Sequence, residues 1–307
     1  MAVEGAPRVV ISSRLAYPAY RAGAGIARAL PEPVANALAR RAARTLGAVQ
    51  RDQRRLVTRH MRRVHGGDLQ GLALQRAVRA VYESYGRYFA ELFRLGGESL
   101  DEIRDSTTSE GLEHLEAAYA KGNGVILAIP HLGGWDYGGA WIASLGYEPL
   151  AVAERLEPPE LFEWFVDVRR RLGIEVVPAD GDAGTAVLAA LKAGRLVGLV
   201  SDRDVLGNGV EVEFFGERTT LPAGPATLAL RTGAALLAGA IYFTGRDGHH
   251  AVIRPPLAVE REGRLRDDVT RVTQMLAAEL ETLIRRAPEQ WHMMQPNWPS
   301  DLDGSVR

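Results

Sequence analysis

A histidine set just behind an apolar run, followed by two glycines and then an acid, is a pattern that can move protons. In IPHLGGWDYGGAW, residues 129–141, His131 precedes Gly133 and Gly134, and Asp136 stands five positions on. An imidazole with its ordinary pKa of ~6.5 is mostly neutral near pH 7, so one nitrogen can take a proton while the other donates to an orienting carboxylate. Two acids compete for that second role. Asp136 is near in sequence, but a carboxylate in the first turn of a helix starting near Gly134 is also favoured by the helix dipole alone. Asp202, in SDRD after a later apolar run, could meet His131 if the two runs are neighbouring strands. The glycines leave the backbone approachable, so amides at the helix start could hold a phosphate or a developing oxyanion.

The elements that must position these residues are readable as buried strands. GVILAIP, PLAVA, IEVVP and RLVGLV are short apolar runs bounded by glycine or proline, and they alternate with helical stretches at about 134–145, 158–171 and 183–193. That alternation predicts right-handed crossovers and an α/β fold, a mostly parallel central sheet flanked by helices. Before it come a long periodic helix around QRAVRAVYESYGRYFAELFRL and a shorter one around EGLEHLEAAYAK; after it come VEVEFFGERTTLP, a helix at PAGPATLALRTG, strands at ALLAGAIYF and HAVIRP, and a helix from about Asp267 to Arg286. Ligands of open α/β sheets bind outside the carboxyl ends of the strands. His131, Glu154 and the SDRD residues Asp202, Arg203 and Asp204 each follow a different strand, so they reach one edge. Loops are polar by default, and the convergence alone leaves a catalytic and a structural reading open.

Composition sets the limits. A chain of 307 residues, 46% hydrophobic, can bury a large core, and we expect one domain comprising a basic helical segment over 1–65 and an α/β core over 66–307. The absence of cysteine excludes disulfides, thiol nucleophiles and cysteine-ligated metal centres. No run approaches the ~18 apolar residues that span a bilayer, and no leader pattern stands at the N-terminus, so neither membrane crossing nor export is expected.

The net charge of −1 conceals segregation: residues 1–64 hold 13 arginines, no lysine and three acids, a balance of +10 that leaves about −11 for the rest. LAYPAYRAGAGIARAL and PVANALARRAARTLGAVQRDQRRL read at helical spacing, with apolar residues on one side and arginine on the other. Such helices suit an anionic membrane surface, and equally a solvated face packed on the main domain. Nucleic acid is not expected, because no stacking aromatics are interleaved with the arginines.

Four blocks in order carry a family resemblance: PHLGGWD, AERLEPPELFEWFVDVRRRLG, SDRD with GVEVEFFGERTTLPAGPATLALRTGAALL, and PEQWHMMQPNW. From about Tyr85 to Trp298 the chain resembles the actinobacterial phosphatidylinositol mannoside acyltransferases, which group with the bacterial lipid A late acyltransferases in the lysophospholipid acyltransferase superfamily. The resemblance implies transfer of a palmitoyl-like group from acyl-CoA to the 6-hydroxyl of the mannose, at the cytoplasmic face of the cell membrane, on membrane-associated N-terminal helices and with no cofactor beyond the acyl-CoA donor. It makes His131 the base and Asp136 the second half of the family motif. It aligns Asp202 with a family glutamate, a departure that shortens the acid by one methylene. Glu154 and Arg169 match family site positions and Arg87 matches another, where arginine could grip phosphate as a fork.

Other motifs resolve to bland readings. GDAGTA lacks the P-loop lysine, GAGIAR lacks a preceding strand, and no G-x-S-x-G marks an esterase nucleophile. Adjacent histidines at 249 and 250 face opposite sides of a strand and cannot share one ion; a turn-flanking role is expected. Trp291 and Trp298 are expected in the core. Transfer to another glycolipid or lysophospholipid, and a catalytically inactive lipid-binding protein, remain the alternative functions.

Overall fold

A computed structural model describes residues 13–245 and 247–302. The part of the basic segment before residue 13 lies outside the described residues. Helices α1 (Ser13–Ala29), α2 (Glu32–Val49), α3 (Arg51–Val64), α4 (Gly71–Leu95) and α5 (Leu100–Asp105) precede strand β1 (Thr107–Glu110) and α6 (Leu112–Tyr119). The alternating part runs β2 (Val125–Ile129), α7 (Trp135–Ser144), β3 (Leu150–Ala153), α8 (Pro159–Arg171), β4 (Glu175–Pro178), α9 (Ala183–Lys192) and β5 (Leu196–Val200). Then follow β6 (Val210–Phe214), β7 (Glu217–Leu221), α10 (Gly224–Thr232), β8 (Ala235–Thr244), β9 (Gly248–Ile253), α11 (Leu265–Arg286) and α12 (Pro299–Leu302).

The expected α/β class is what forms. Seven strands lie in the order β1-β9-β8-β2-β5-β3-β4, with every pairing parallel except β8 with β9. β2 is central and buried on both faces, which is why VILAI is uninterruptedly apolar. Its side chains alternate between two cores: Ile126 and Ala128 face the layer of α10 and α11, while Val125 and Leu127 face that of α6 and α7. From β2 the chain winds outward to β3 and β4, returns to β5, and only later fills β8 on the other side of β2. Such a reversal opens a crevice at the carboxyl ends of the strands. VEVEFFGERTTLP forms a separate antiparallel hairpin, β6 with β7, apart from the main sheet.

Differences from the expectation are local. PVANALARRAARTLGAVQRDQRRL is two helices, because Gln50 leaves helical geometry at φ −81°, ψ 77°. α5 carries a capping box, the Ser99 hydroxyl accepting from the Glu102 amide while the Glu102 carboxylate accepts from Ser99 N–H. α2 packs on α4 with backbones nearly touching: a Cβ on Gly86 would lie 2.6 Å from the Ala39 carbonyl oxygen. Among the described residues no helix is long and apolar enough to cross a membrane.

The segment after α11 is fastened to α3 through a buried carboxylate. Asp301 accepts from Arg63 at 2.9 Å and from the amides of Asn297 and Trp298, and its Oδ2 lies 3.0 Å from His60 Nε2. Burial pushes the Asp301 carboxyl up, but the hydrogen bond and charge of His60, with the donors around them, outweigh burial and hold it well below its ordinary range. A carboxylate lowered in this way stabilises the fold fully above its unfolded pKa of ~4, and that contribution is lost as pH falls further toward the folded value. Denaturant midpoints should therefore decline below about pH 4, and Asp301→Ala should remove about 3–5 kcal/mol at neutral pH while flattening that acid limb. An unchanged acid limb in the variant would place the titration elsewhere.

Candidate active site

His131 lies two residues past the end of β2, and its expected partner is brought alongside by strand register. Ile129 pairs with Val200, and Ser201 N–H donates to the Ile129 carbonyl at 2.8 Å, so Asp202 emerges next to His131. The Asp202 Oδ1 accepts from His131 Nδ1 at 2.7 Å, while Oδ2 accepts from the His131 amide at 2.9 Å and from Trp291 Nε1 at 2.8 Å. The aspartate, one methylene shorter than a glutamate, thus reaches the ring directly. Asp202 is completely buried, and burial pushes its carboxyl up; the His131 charge and these hydrogen bonds outweigh that and leave it below the ordinary carboxylate range. An ionised carboxylate can only accept, so Nδ1 carries the proton and Nε2 presents its lone pair. The His131 side chain remains 28% exposed.

The loop behind the ring is pinned to the 3-10 turn Pro288–Gln290 and the residues after it. His292 N–H donates to the His131 carbonyl at 2.8 Å, and Gly133 N–H donates to the Gln290 carbonyl at 2.9 Å. Gly133 has φ +59°, and a Cβ there would sit 1.9 Å from the Ile241 carbonyl oxygen, so only glycine fits. Its amide, expected among the oxyanion donors, is committed to Gln290. Gly134 is the N-cap of α7, where first-turn amides have no intrahelical partner.

Asp136 does not orient His131. It lies buried in the first turn of α7, with Oδ1 accepting from Arg169 Nε of α8 and Oδ2 accepting from the Tyr88 hydroxyl of α4, each at 2.7 Å. Burial and then the Asp136 charge hold the Tyr88 phenol well above its ordinary pKa, which keeps it a donor. Tyr88 in turn stacks on Trp135 at 3.9 Å, and Trp135 meets the His131 ring edge-on at 5.5 Å. The second half of the motif therefore ties three helices behind the wall against which the histidine rests.

Residues 5–300 match the family described as bacterial lipid A biosynthesis acyltransferase. The chain belongs to this acyltransferase family. It is 37% identical over 308 residues to the phosphatidylinositol mannoside acyltransferase of Mycolicibacterium smegmatis, covering 98% of this chain and 97% of that one. The protein of the same name from Mycobacterium tuberculosis strain H37Rv is 42% identical over 234 residues, 74% of this chain and 72% of its own. A lipid A biosynthesis acyltransferase of Haemophilus influenzae is 26% identical over 186 residues, 59% and 55% of the two chains.

The remaining residues singled out in the sequence take different places. Arg87 is buried and inward-facing: its Nε donates to Glu91 at 2.7 Å, its other two nitrogens donate to the Gly245 and Gly248 carbonyls, and its guanidinium lies 4.4 Å over the Phe243 ring. Arg169 is spent on Asp136. Asp204 organises its own loop, accepting from the Gly207 and Gly209 amides at 2.9 and 2.8 Å. Arg203 is half-buried beside it, and Glu154 is exposed after β3. His249, expected beside a turn, is buried, stacked on Tyr137 at 3.7 Å with Nε2 3.0 Å from Glu91.

Sequence reading missed Trp291, Asn297 and His292 as parts of the site. Trp291 and Trp298 are core residues as expected, yet a buried indole N–H requires an acceptor, and for Trp291 that acceptor is Asp202. Asn297 Nδ2 donates to the Asp202 carbonyl at 2.9 Å. His292 shares a hydrogen bond with Ser84 at 2.9 Å, and burial, then the charge of His131, push its pKa down to about 3, so it stays neutral at physiological pH. Among the described residues no cluster of histidine and acids could hold a metal ion.

Because Asp136 and Arg169 are both largely buried, breaking the pair should be far costlier than losing a helix-dipole contact. Asp136→Ala should lower unfolding free energy by about 3–5 kcal/mol, and Asp136→Leu with Arg169→Met should recover most of it. Urea denaturation of the single and double variants measures this; strictly additive losses would show that the two side chains are not coupled.

Proposed function

We propose that this acyltransferase moves a fatty acyl group from acyl-CoA to a mannose 6-hydroxyl of a phosphatidylinositol mannoside, with His131 as general base. One observation carries the chemistry: a histidine with Nδ1 fixed on a buried carboxylate in a side chain left 28% exposed. The names of the relatives carry the acceptor. A sugar hydroxyl is a poor nucleophile. As Nε2 takes its proton, the oxygen attacks the thioester carbon, and Asp202 stabilises the imidazolium that forms. The tetrahedral oxyanion finds donors at the α7 N-terminus, with Gly133 excluded. When the carbon–sulfur bond breaks, Nε2–H returns the proton to sulfur, giving the ester, free coenzyme A and an unchanged histidine.

An acyl chain of ~14 buried methylenes would cost on the order of 11 kcal/mol to carry through water, so the reaction belongs at a membrane. Two features support that location, which we place at the cytoplasmic face. A line of aromatic rings runs from His131 through Trp135, Tyr88 and Phe89 to Tyr20 on α1, an apolar path from the base to the N-terminal helices. On α2 the side turned from α4 is uncovered, with Val34, Leu38, Leu46 and Val49 between 45% and 72% exposed and Arg41, Arg44 and Thr45 exposed among them. Lying in the headgroup region of an anionic leaflet, that face loses its apolar surface to lipid while the arginines meet phosphate.

His131→Ala should lower acyl transfer by ~10²- to 10⁴-fold with little change in thermal stability, and Asp202→Asn should lower it less. Both are measured as release of coenzyme A with a defined mannoside acceptor; full activity of His131→Ala would end the general-base reading, and transfer only to lysophospholipid would move the acceptor to that alternative.

Replacing Leu38, Leu46 and Val49 together by serine should abolish most binding to anionic vesicles in a sedimentation assay while sparing turnover of a short soluble acyl thioester. Undiminished vesicle binding would leave α2 with a packing role only.

A further inference from the structure

Beyond α4 the large hydrophobic side chains exposed among the described residues are Leu156, Val205, Leu206 and Leu302. All but Leu302 stand on two loops at one edge of the sheet. β2, β5 and β3 are parallel neighbours, so the loop after β3 that carries Leu156 and the loop after β5 that carries Val205 and Leu206 emerge on the same side as His131. Loops at such an edge are ordinarily polar, and an aliphatic residue exposed singly needs no explanation. A consecutive pair, Val205 at 44% and Leu206 at 70%, with Leu156 at 37% on the neighbouring loop, calls for one.

The β5–β6 loop is also fixed in shape. Asp204 turns its carboxylate to the Gly207 and Gly209 amides, Asn297 Nδ2 donates to the Asp202 carbonyl, and Gly209 lies so near β7 that a Cβ there would be 2.3 Å from the Leu221 carbonyl oxygen. Tied at both ends, the turn holds Val205 and Leu206 outward. From Val205 to Gly209 the sequence VLGNG carries no charge, as a segment entering the acyl boundary of a leaflet requires, since a charge is costly there. A protein partner suits the tip less, because two or three aliphatic side chains fall far short of the roughly 800 Å² per partner that a stable interface buries. We propose that the tip of the β5–β6 loop inserts into the leaflet as a second membrane contact, turning the sheet edge that carries His131 toward the lipid. α2 alone would attach the protein yet leave it free to roll about that helix. Leu206 is four residues past Asp202, so the chain keeps the acid within about 14 Å of the inserted tip, at the membrane surface. Leu156 goes less deep, because Glu154 and Glu157 beside it are exposed. The proposal rests on the membrane location argued above.

The absence of cysteine from the chain permits a test by single labels. Leu206→Cys, Leu156→Cys and, at the opposite end of β2, Asn123→Cys are each coupled to bimane and mixed with vesicles of phosphatidylcholine and phosphatidylglycerol, with and without bromine on the acyl chains. Bromine should quench position 206 most, position 156 less and position 123 not at all. Val205→Ser with Leu206→Ser should weaken vesicle binding in sedimentation by about tenfold, from the apolar surface withdrawn from lipid. That loss should persist at high salt, which screens arginine contacts but not insertion, and turnover of a short soluble acyl thioester should be unchanged. Wild-type protein that sediments with vesicles while position 206 stays unquenched overturns the loop contact and leaves the α2 reading standing. Quenching at 206 together with undiminished sedimentation of the α2 serine variant would defeat the α2 reading and support the loop. No sedimentation of the wild type overturns both. Self-association without vesicles that the paired serine substitutions abolish would assign these side chains to a second copy of the chain, and it too overturns the proposal.

Discussion

A carboxylate with no exposure to water has to be kept ionised by its neighbours, and at Asp202 that requirement organises the reaction centre. Its donors include two that do not depend on the protonation state of the imidazole, the His131 amide and the Trp291 indole, so the charge survives when the ring is neutral. With that charge fixed, Nδ1 must hold its proton and Nε2 must stay open. The same group joins distant stretches of chain: β2 ends at His131, β5 ends at Asp202, and the segment from Gln290 to Asn297 supplies two further hydrogen bonds and the backbone ties to His131 and Gly133. Chemistry and packing depend here on one side chain.

Around it, helix α4 presents a single working face. Ser84, Arg87, Tyr88 and Glu91 recur at helical spacing and reach His292, the β8–β9 turn, Asp136 and His249 respectively. Each contact is buried or nearly so, and each of these four α4 side chains finds a partner, although Nδ1 of both His249 and His292 is left without one; buried charges paired in this way specify one arrangement of helices even where they add little net stability. Two of the arginines that looked suited to gripping phosphate are structural cations of this kind.

The sheet and its functional edge were legible because parallel strands buried on both faces must be short apolar runs, and GVILAIP and RLVGLV could be little else. The Asp202 partnership followed once those runs were neighbours. The fate of Asp136, Arg87 and Arg169 was not, since residue type announces a charge but not which buried partner tertiary packing will offer it. Trp291 carried a usable signal, an indole N–H that burial obliges to donate, though nothing in sequence named its acceptor. The capping box at Ser99 and Glu102 was a usable signal for α5 that went unread, whereas β1, a polar edge strand of sequence TTSE, gave no apolar pattern to read.

The long reach of the contacts to Asp202 has a consequence for how the enzyme comes into being. His131 and Asp202 are 71 positions apart, and Trp291 lies 89 beyond Asp202. A ribosome therefore makes His131 and Asp202 well before it makes the indole that donates to the carboxylate, and α3 waits longer still for Asp301. The growing polypeptide lacks that indole donor until the segment beyond α11 docks, and that closure is among the most non-local steps in its folding. Synthesis order thus puts completion of the hydrogen bonds around the Asp202 carboxylate among the last events in the making of the chain.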